Sequence, residues 1–184
     1  MEREKRKPQN KIITIFIILS ILSMVLSIFA IKNLRIIRVS GISMKPTIYD
    51  EDGLVAVRYP SFTKPKLKHG DIISFRSPFN KNYGFVKRII GLPGDEIKLE
   101  DGKVYLNGEI LIENYIEEGI KTRPGPRYTS WIISDGEVFV LGDNRQIGAS
   151  SDSRSYGCIP ISDITYVVFF RIYPYDSQGF LANN

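Results

Sequence analysis

From Ile12 to Ile31 the chain reads IITIFIILSILSMVLSIFAI, without a charge and with Thr and Ser as its polar members. Roughly 20 helical residues, at about 1.5 Å each, span a hydrocarbon layer of about 30 Å. A helix packed on a soluble core would carry a polar stripe, and this run carries none. A cleavable leader would be shorter and end at a small-x-small site, whereas this run continues into Ile31-Lys32-Asn33-Leu34-Arg35. The pattern predicts a membrane helix over 12–31. Beyond residue 32 the apolar spacing shortens to alternating or β-branched runs punctuated by Gly, Pro and Asn. Strands are predicted near Leu34–Val39, Leu54–Arg58, Asp71–Phe75, Phe85–Ile90, Glu96–Leu99, Val104–Leu106, Val138–Leu141 and Thr165–Ile172. Asp101-Gly102 and Asn107-Gly108 are type I′ hairpin signals. Glu117–Tyr128, with Arg123-Pro124-Gly125-Pro126, reads as a loop or flap. The expected fold class is mainly β, a folded-over or barrel-like set of sheets after one N-terminal helix.

Charge adds orientation. Arg3, Lys5, Arg6, Lys7 and Lys11 precede the helix against Glu2 and Glu4, while Lys32, Arg35 and Arg38 follow it. The bias places the N-terminus inside. It predicts a cytoplasmic basic tail over 1–11, a single-pass helix over 12–31 and an extracytoplasmic domain over 32–184 of the cell membrane. A net charge of +5 then marks orientation rather than nucleic acid, since no zinc finger, RNP-type motif or basic helix accompanies it. Apolar content of 43% is enough for a core. Cys158 is the only cysteine, which excludes an intramolecular disulfide and a cysteine metal cluster. His69 is the only histidine, in a polar turn that reads as an exposed loop, so a Ser-His-Asp protease has just this one base available.

Three stretches carry candidate chemistry: Gly41-Ile42-Ser43-Met44-Lys45-Pro46-Thr47, Val86-Lys87-Arg88-Ile89-Ile90-Gly91-Leu92-Pro93-Gly94-Asp95, and Gly142-Asp143-Asn144 followed by Ser150-Ser151-Asp152-Ser153-Arg154. Each alone also reads as ordinary structure: a serine in a turn, a solvated Lys-Arg pair at a strand edge, a polar loop. A serine hydroxyl needs a base. A lysine serves as one only when neutral, which burial among apolar groups promotes by penalising the ammonium. Lys87 lies among Phe85, Val86, Ile89 and Ile90, in what reads as an interior strand.

Taken in this order, the three stretches resemble the boxes of type I signal peptidases, the membrane-bound Ser/Lys proteases that remove secretory signal peptides. The resemblance runs from the apolar stretch to about Tyr156. It implies a β domain like that of signal peptidases and LexA-type peptidases, with Ser43 as nucleophile and Lys87 as general base. It implies that Ser150 orients the lysine, although two extra residues within Gln146-Ile147-Gly148-Ala149 leave Ser151 as the alternative. Asp152 with Arg154, and Asp143 with Arg88, are the implied supporting ion pairs. Gly41 stands where some members carry an oxyanion-supporting serine; the Ser43 N–H becomes the main candidate donor, with Ser40 as a substitute, and the glycine resembles the Gram-positive branch. Val39, Gly41, Ile42, Met44 and Val86 are the implied substrate-binding residues, with segments 39–44 and 83–87 flanking an extended substrate strand. Expected partners are secretory preproteins with small residues at −1 and −3, and membrane lipid. No metal, cofactor or nucleic acid is implied, and the chain is expected to act as a monomer. The rivals are a soluble self-cleaving LexA-like peptidase and a non-enzymatic tethered β domain. For the second, the discriminator is whether Ser43 Oγ and Lys87 Nζ lie within hydrogen-bond reach.

Overall fold

The computed structural model describes residues 7–60 and 66–181, so the expectations for Arg3, Lys5 and Arg6 lie outside the described residues. The chain divides into two compact units, with the boundary between Leu34 and Arg35. The first holds helix α1 (Lys7–Asn33). Its stretch Lys11–Asn33 is long and apolar enough to cross a membrane. From Ile12 to Phe29 its described large apolar side chains are exposed, a surface that water disfavours and lipid matches. Asn33 Nδ2 donates to Phe29 O at 2.9 Å, satisfying one of the carbonyls that a helix end leaves open.

The second unit is built of two sheets. In the larger, β1 (Leu34–Arg38) pairs β2 (Gly53–Arg58), followed in order by β11 (Ile164–Tyr173), β3 (Ile72–Arg76), β4 (Gly84–Gly91), β9 (Glu137–Leu141) and β10 (Ile159–Pro160). A short β12 (Gly179–Phe180) adds to β11. The smaller sheet runs β7 (Glu109–Ile110), β6 (Lys103–Leu106), β5 (Glu96–Glu100), β8 (Ser130–Ile132). Mainly β architecture is what the alternating pattern predicted, and each predicted strand has its counterpart. Asp101 and Gly102 hold φ of 51° and 80°, Asn107 and Gly108 of 52° and 84°, the positive pair that a type I′ turn requires.

Two differences follow from length and backbone. Strands β7, β8, β10 and β12 are two or three residues long, too short to show a period; their partners' ladders hold them. The expected strand-like segment 39–44 is a correction: regular strand stops at Arg38, and 41–47 bends and turns. Gly41 takes φ of 105°, and Lys45 N–H donates back to Ile42 O at 3.2 Å, so the chain cannot stay extended there.

That departure makes a long β1–β2 loop, and buried apolar pegs fix it. Met44 and Ile48 pack with Val39, Leu54, Ala56, Ile72 and Val168, and Ile48 N–H donates to Met44 O at 2.9 Å. Asp50 Oδ1 accepts from Gly41 N–H at 2.8 Å. From β11, Arg171 donates to Thr47 O at 3.0 Å and to Asp52 Oδ2 at 3.2 Å. A second cluster with Ile73, Phe75, Ile89 and Val140 and a third with Ile90, Ile97, Phe139 and Leu141 clamp β4 along its length.

Candidate active site

Lys87 and Arg88 are neighbours on β4, paired with Ile73 and Ile72 of β3. Successive residues of a strand point to opposite faces, so the two cations part company. Lys87 turns toward the β1–β2 loop, 4% exposed. Its Nζ lies 2.7 Å from Ser43 Oγ and 2.9 Å from Val86 O, and 5.3 Å from the centre of the Phe85 ring. Burial lowers its pKa from 10.5 to about 8, against the opposing pull of Asp152 and Asp143 and with some help from Arg154. At neutral pH about a tenth of such amines carry no proton. In that state Val86 O holds one N–H and the lone pair is available to the Ser43 hydroxyl.

Arg88 turns the other way and is fully buried with Asp143. Its Nε and Nη2 donate to the two carboxylate oxygens at 2.9 and 2.7 Å, the bidentate geometry for which guanidinium is suited. Its Nη1 donates to Gly70 O at 2.9 Å, and its plane stacks 3.9 Å over Tyr115. The predicted Arg88–Asp143 pair is present, and it ties β4 to the loop after β9.

That loop, 142–145, meets the candidate nucleophile directly. Asn144 N–H donates to Ser43 O at 3.0 Å, and Asn144 Nδ2 donates to Ile42 O at 3.1 Å. Gly142 is wedged so tightly that a Cβ there would lie 2.4 Å from Ser43 O and 2.3 Å from Ser150 Oγ. The buried Arg145 anchors the loop through Gly142 O at 2.8 Å, Thr122 Oγ1 at 2.6 Å and the carboxylate of Glu113. The segment between β7 and β8, which contains the predicted loop or flap Glu117–Tyr128, is thus fastened to the site by the buried Arg145–Glu113 ion pair and by Thr122.

Asp152 sits fully buried at the start of a short helix, α2 (Ser153–Tyr156). Arg154 donates to both its oxygens at 2.8 and 2.7 Å, as expected of this pair. Burial alone would raise its carboxyl pKa. Its bonds from Arg154, from Gly142 N–H and from Ser150 Oγ outweigh that, holding it below the ordinary value. One expectation differs. Ser150 donates its hydroxyl to Asp152 at 2.8 Å, and among the described hydrogen bonds none joins Ser150 or Ser151 to Lys87. The extra residues of the 146–149 loop lie at the surface around Gly148, with φ of 78°. Ser151, and not Ser150, lines the cavity that holds Ser43 and Lys87.

This cavity, of about 570 Å³, runs from Ile37 through Val39, Gly41, Ile42 and Met44 on one side and from Gly84 to Lys87 on the other. It gathers all five residues expected to bind substrate. His69, by contrast, is half exposed and pairs with Asp95 at 2.7 Å, and it is not among the residues that line this cavity. Ser43, buried Lys87 and a cleft open to a strand of peptide form an arrangement that can do acyl transfer. Residues 9–173 match the family described as signal peptidase, peptidase S26.

The chain belongs to the signal peptidase family. It is a serine peptidase of the signal peptidase I kind, and the reaction of that family is the removal of signal peptides from preproteins. It is 34% identical over 151 residues to signal peptidase IB of Staphylococcus aureus (strain COL), covering 74% of this chain and 76% of that one. It is 36% identical over 148 residues to probable signal peptidase I-2 of Synechocystis sp. (strain ATCC 27184 / PCC 6803 / Kazusa), covering 77% and 64%. A crystal structure of a signal peptidase I from Enterococcus faecalis V583 shares 32% identity with a TM-score of 0.48, covering 56% of this signal peptidase and 97% of that chain.

Among residues that the sequence left without a role, Asn144, Gly142, Arg145 and Arg171 stand out. Asn144 and Gly142 lay within a quoted motif, which was the available signal. Arg145 and Arg171 carried none, because their partners Glu113, Thr122 and Asp52 are remote in sequence.

Proposed function

We propose that this signal peptidase cleaves preproteins with a Ser43/Lys87 dyad through an acyl-enzyme. The observation that carries the reading is the 2.7 Å approach of Lys87 Nζ to Ser43 Oγ, made by a lysine that burial pushes toward its neutral form. Neutral Lys87 takes the hydroxyl proton as Oγ attacks the scissile carbonyl carbon. The same proton then goes to the leaving amine as the C–N bond breaks. In the second half, Lys87 deprotonates the water that attacks the ester, and returns that proton to Ser43 Oγ. The Ser43 N–H serves as oxyanion donor; among the described hydrogen bonds it is committed to no acceptor. Ser150 acts through Asp152, whose negative charge faces the lysine. Val39, Met44 and Val86, apolar and close-packed around the cavity, accept small side chains at −1 and −3 of an extended signal peptide.

The helix over 12–31 is the membrane anchor, the basic tail lies in the cytoplasm and the domain from 32 onward works outside, because basic residues concentrate before the helix. Cleavage of a detergent-solubilised preprotein tests the dyad. Wild type should process it, whereas Ser43→Ala and Lys87→Arg should each lose activity by at least a thousandfold, since the dyad acts as one unit and guanidinium cannot become neutral. Robust processing by Lys87→Arg would remove Lys87 as the base.

A further inference from the structure

We infer that Asn144 is a positioning residue for the oxyanion donor, acting through the peptide bond between Ile42 and Ser43. The inference rests on the reading of Ser43 as nucleophile and its N–H as that donor.

The Ile42 carbonyl and the Ser43 N–H belong to the same peptide unit, which is planar. That bond is not among the cis bonds of the chain, so the two groups point in opposite directions. Whatever grips Ile42 O therefore fixes where the Ser43 N–H is aimed. Asn144 Nδ2 grips it at 3.1 Å, and Lys45 N–H adds a longer turn bond of 3.2 Å. The next plane is held by the same residue, since Asn144 N–H donates to Ser43 O at 3.0 Å. One asparagine thus spans the nucleophile and secures the peptide plane on each side of it.

The clamp needs a fixed base, and its own loop supplies one. Before Asn144 stand Asp143, in a buried ion pair with Arg88, and Gly142, with its N–H on Asp152 at 3.1 Å. After it stands Arg145, with no exposed side-chain surface and bonded across to Glu113 and Thr122. The Asn144 side chain faces both ways: its Nδ2 reaches the nucleophile turn at Ile42 O, while its Oδ1 accepts from Gln146 N–H at 3.3 Å and braces the amide within its own loop. Gly41, two residues before Ser43 and at φ of 105°, adds little stiffness of its own to the approach to the nucleophile. An oxyanion donor is effective only when it is already in place before charge develops.

The test uses the full chain in detergent, a peptide substrate with small residues at −1 and −3, and a peptide aldehyde of the same sequence that ends at −1. The aldehyde forms a tetrahedral adduct on the serine and reads oxyanion stabilisation, whereas KM with the peptide reads the cleft. Asn144→Ala removes the side-chain donor and Asn144→Asp replaces it with an isosteric acceptor; both keep the backbone N–H bond to Ser43 O. For both variants kcat should fall about ten- to a hundredfold, with KM within about twofold and the aldehyde inhibition constant rising in step with the loss of kcat. The pH midpoint of Asn144→Ala should stay at the wild-type position, because Lys87 is untouched. Unchanged kcat in both variants, or a fall in kcat with undiminished aldehyde affinity, would overturn the inference. If Ser43→Ala is inactive and the Asn144 variants are not, this inference alone fails. If Ser43→Ala remains active, the reading beneath it fails.

Discussion

Replacing Lys87 by Met should make the protein more stable and inactive, and the size of the gain should depend on pH. Lys87 is 4% exposed, and burial lowers its pKa from 10.5 to about 8. At about 1.4 kcal/mol per unit, keeping the ammonium in this site at neutral pH costs about 3 kcal/mol relative to the unfolded chain. Met has a similar length, no charge and an affinity for the neighbouring Phe85 and Met44. Its loss of the hydrogen bond to Val86 O returns about 1 kcal/mol. The net gain is about 2 kcal/mol, within the range seen when buried ions give way to apolar groups. For a chain of this size that raises the unfolding midpoint by about 4–8 °C.

The pH dependence separates this cause from mere better packing. Between about 8 and 10.5 the unfolded lysine binds more protons than the folded one, so wild-type stability from this group rises with pH across that window. Below it the cost is present in full; above it the amine is neutral in both states and the cost is gone. Thermal unfolding of wild type and Lys87→Met, each at pH 7 and pH 10 in the same detergent, isolates the effect, because every other group cancels in the difference. The advantage of the variant should shrink by most of its pH 7 value at pH 10. An advantage that is the same at both values, or a variant less stable at pH 7, would refute the claim that burial of a charge is what poises this lysine.

The same depressed value predicts that kcat/KM for a peptide substrate rises with pH around a midpoint near 8 and is unmoved by His69→Ala; a pH–rate profile checks both. Gly142→Ala places a Cβ 2.4 Å from Ser43 O, so kcat should fall about a hundredfold while circular dichroism shows the β fold retained. Asp143→Asn strips the bidentate carboxylate from the buried Arg88 guanidinium and should lower stability by about 3–5 kcal/mol in denaturant unfolding. Removal of residues 1–32 should leave peptide cleavage intact but depress cleavage of membrane-inserted preprotein by tenfold or more, since the anchor raises effective concentration without adding a contact; equal rates on the two substrates would sever the anchor from function.

The parts of this protein that were legible in its sequence are those whose physics is local. An uncharged apolar run long enough for a bilayer needs no tertiary partner to be recognised, and the alternation along β5, exposed and buried by turns, is a property of one strand. The turns at Asp101-Gly102 and Asn107-Gly108 were readable because positive φ restricts residue choice within two positions. The site was legible only in outline. The pairing of Asp152 with Arg154 and of Ser43 with Lys87 was available only through the resemblance that the quoted motifs carry, because neither proximity nor spacing in the sequence required it. The strand expected over 39–44 failed because its apolar members Val39 and Met44, with Ile48 beyond them, are buried from a turn and not from an extended strand. They are pegs of an irregular loop, pinned by its own Asp50 and, from outside it, by Arg171 and Asn144.

The expected contact from Ser150 to Lys87 shows a further limit. A motif states which side chains come together, but a hydroxyl takes the strongest acceptor within reach. Here a buried carboxylate, Asp152, is that acceptor, and an anion with buried lone pairs has more to lose from going unpaired than a lysine already held by Val86 O and Ser43 Oγ. Asp152 in turn is what keeps the lysine from losing its proton too easily, since its charge opposes the effect of burial. The serine therefore bears on the lysine by steadying that charge. The balance at Lys87 is between desolvation, set by the apolar walls of the cleft, and two buried carboxylates, Asp143 in the loop after β9 and Asp152 at the start of α2. Moving either side would shift the proton affinity on which the proposed dyad depends.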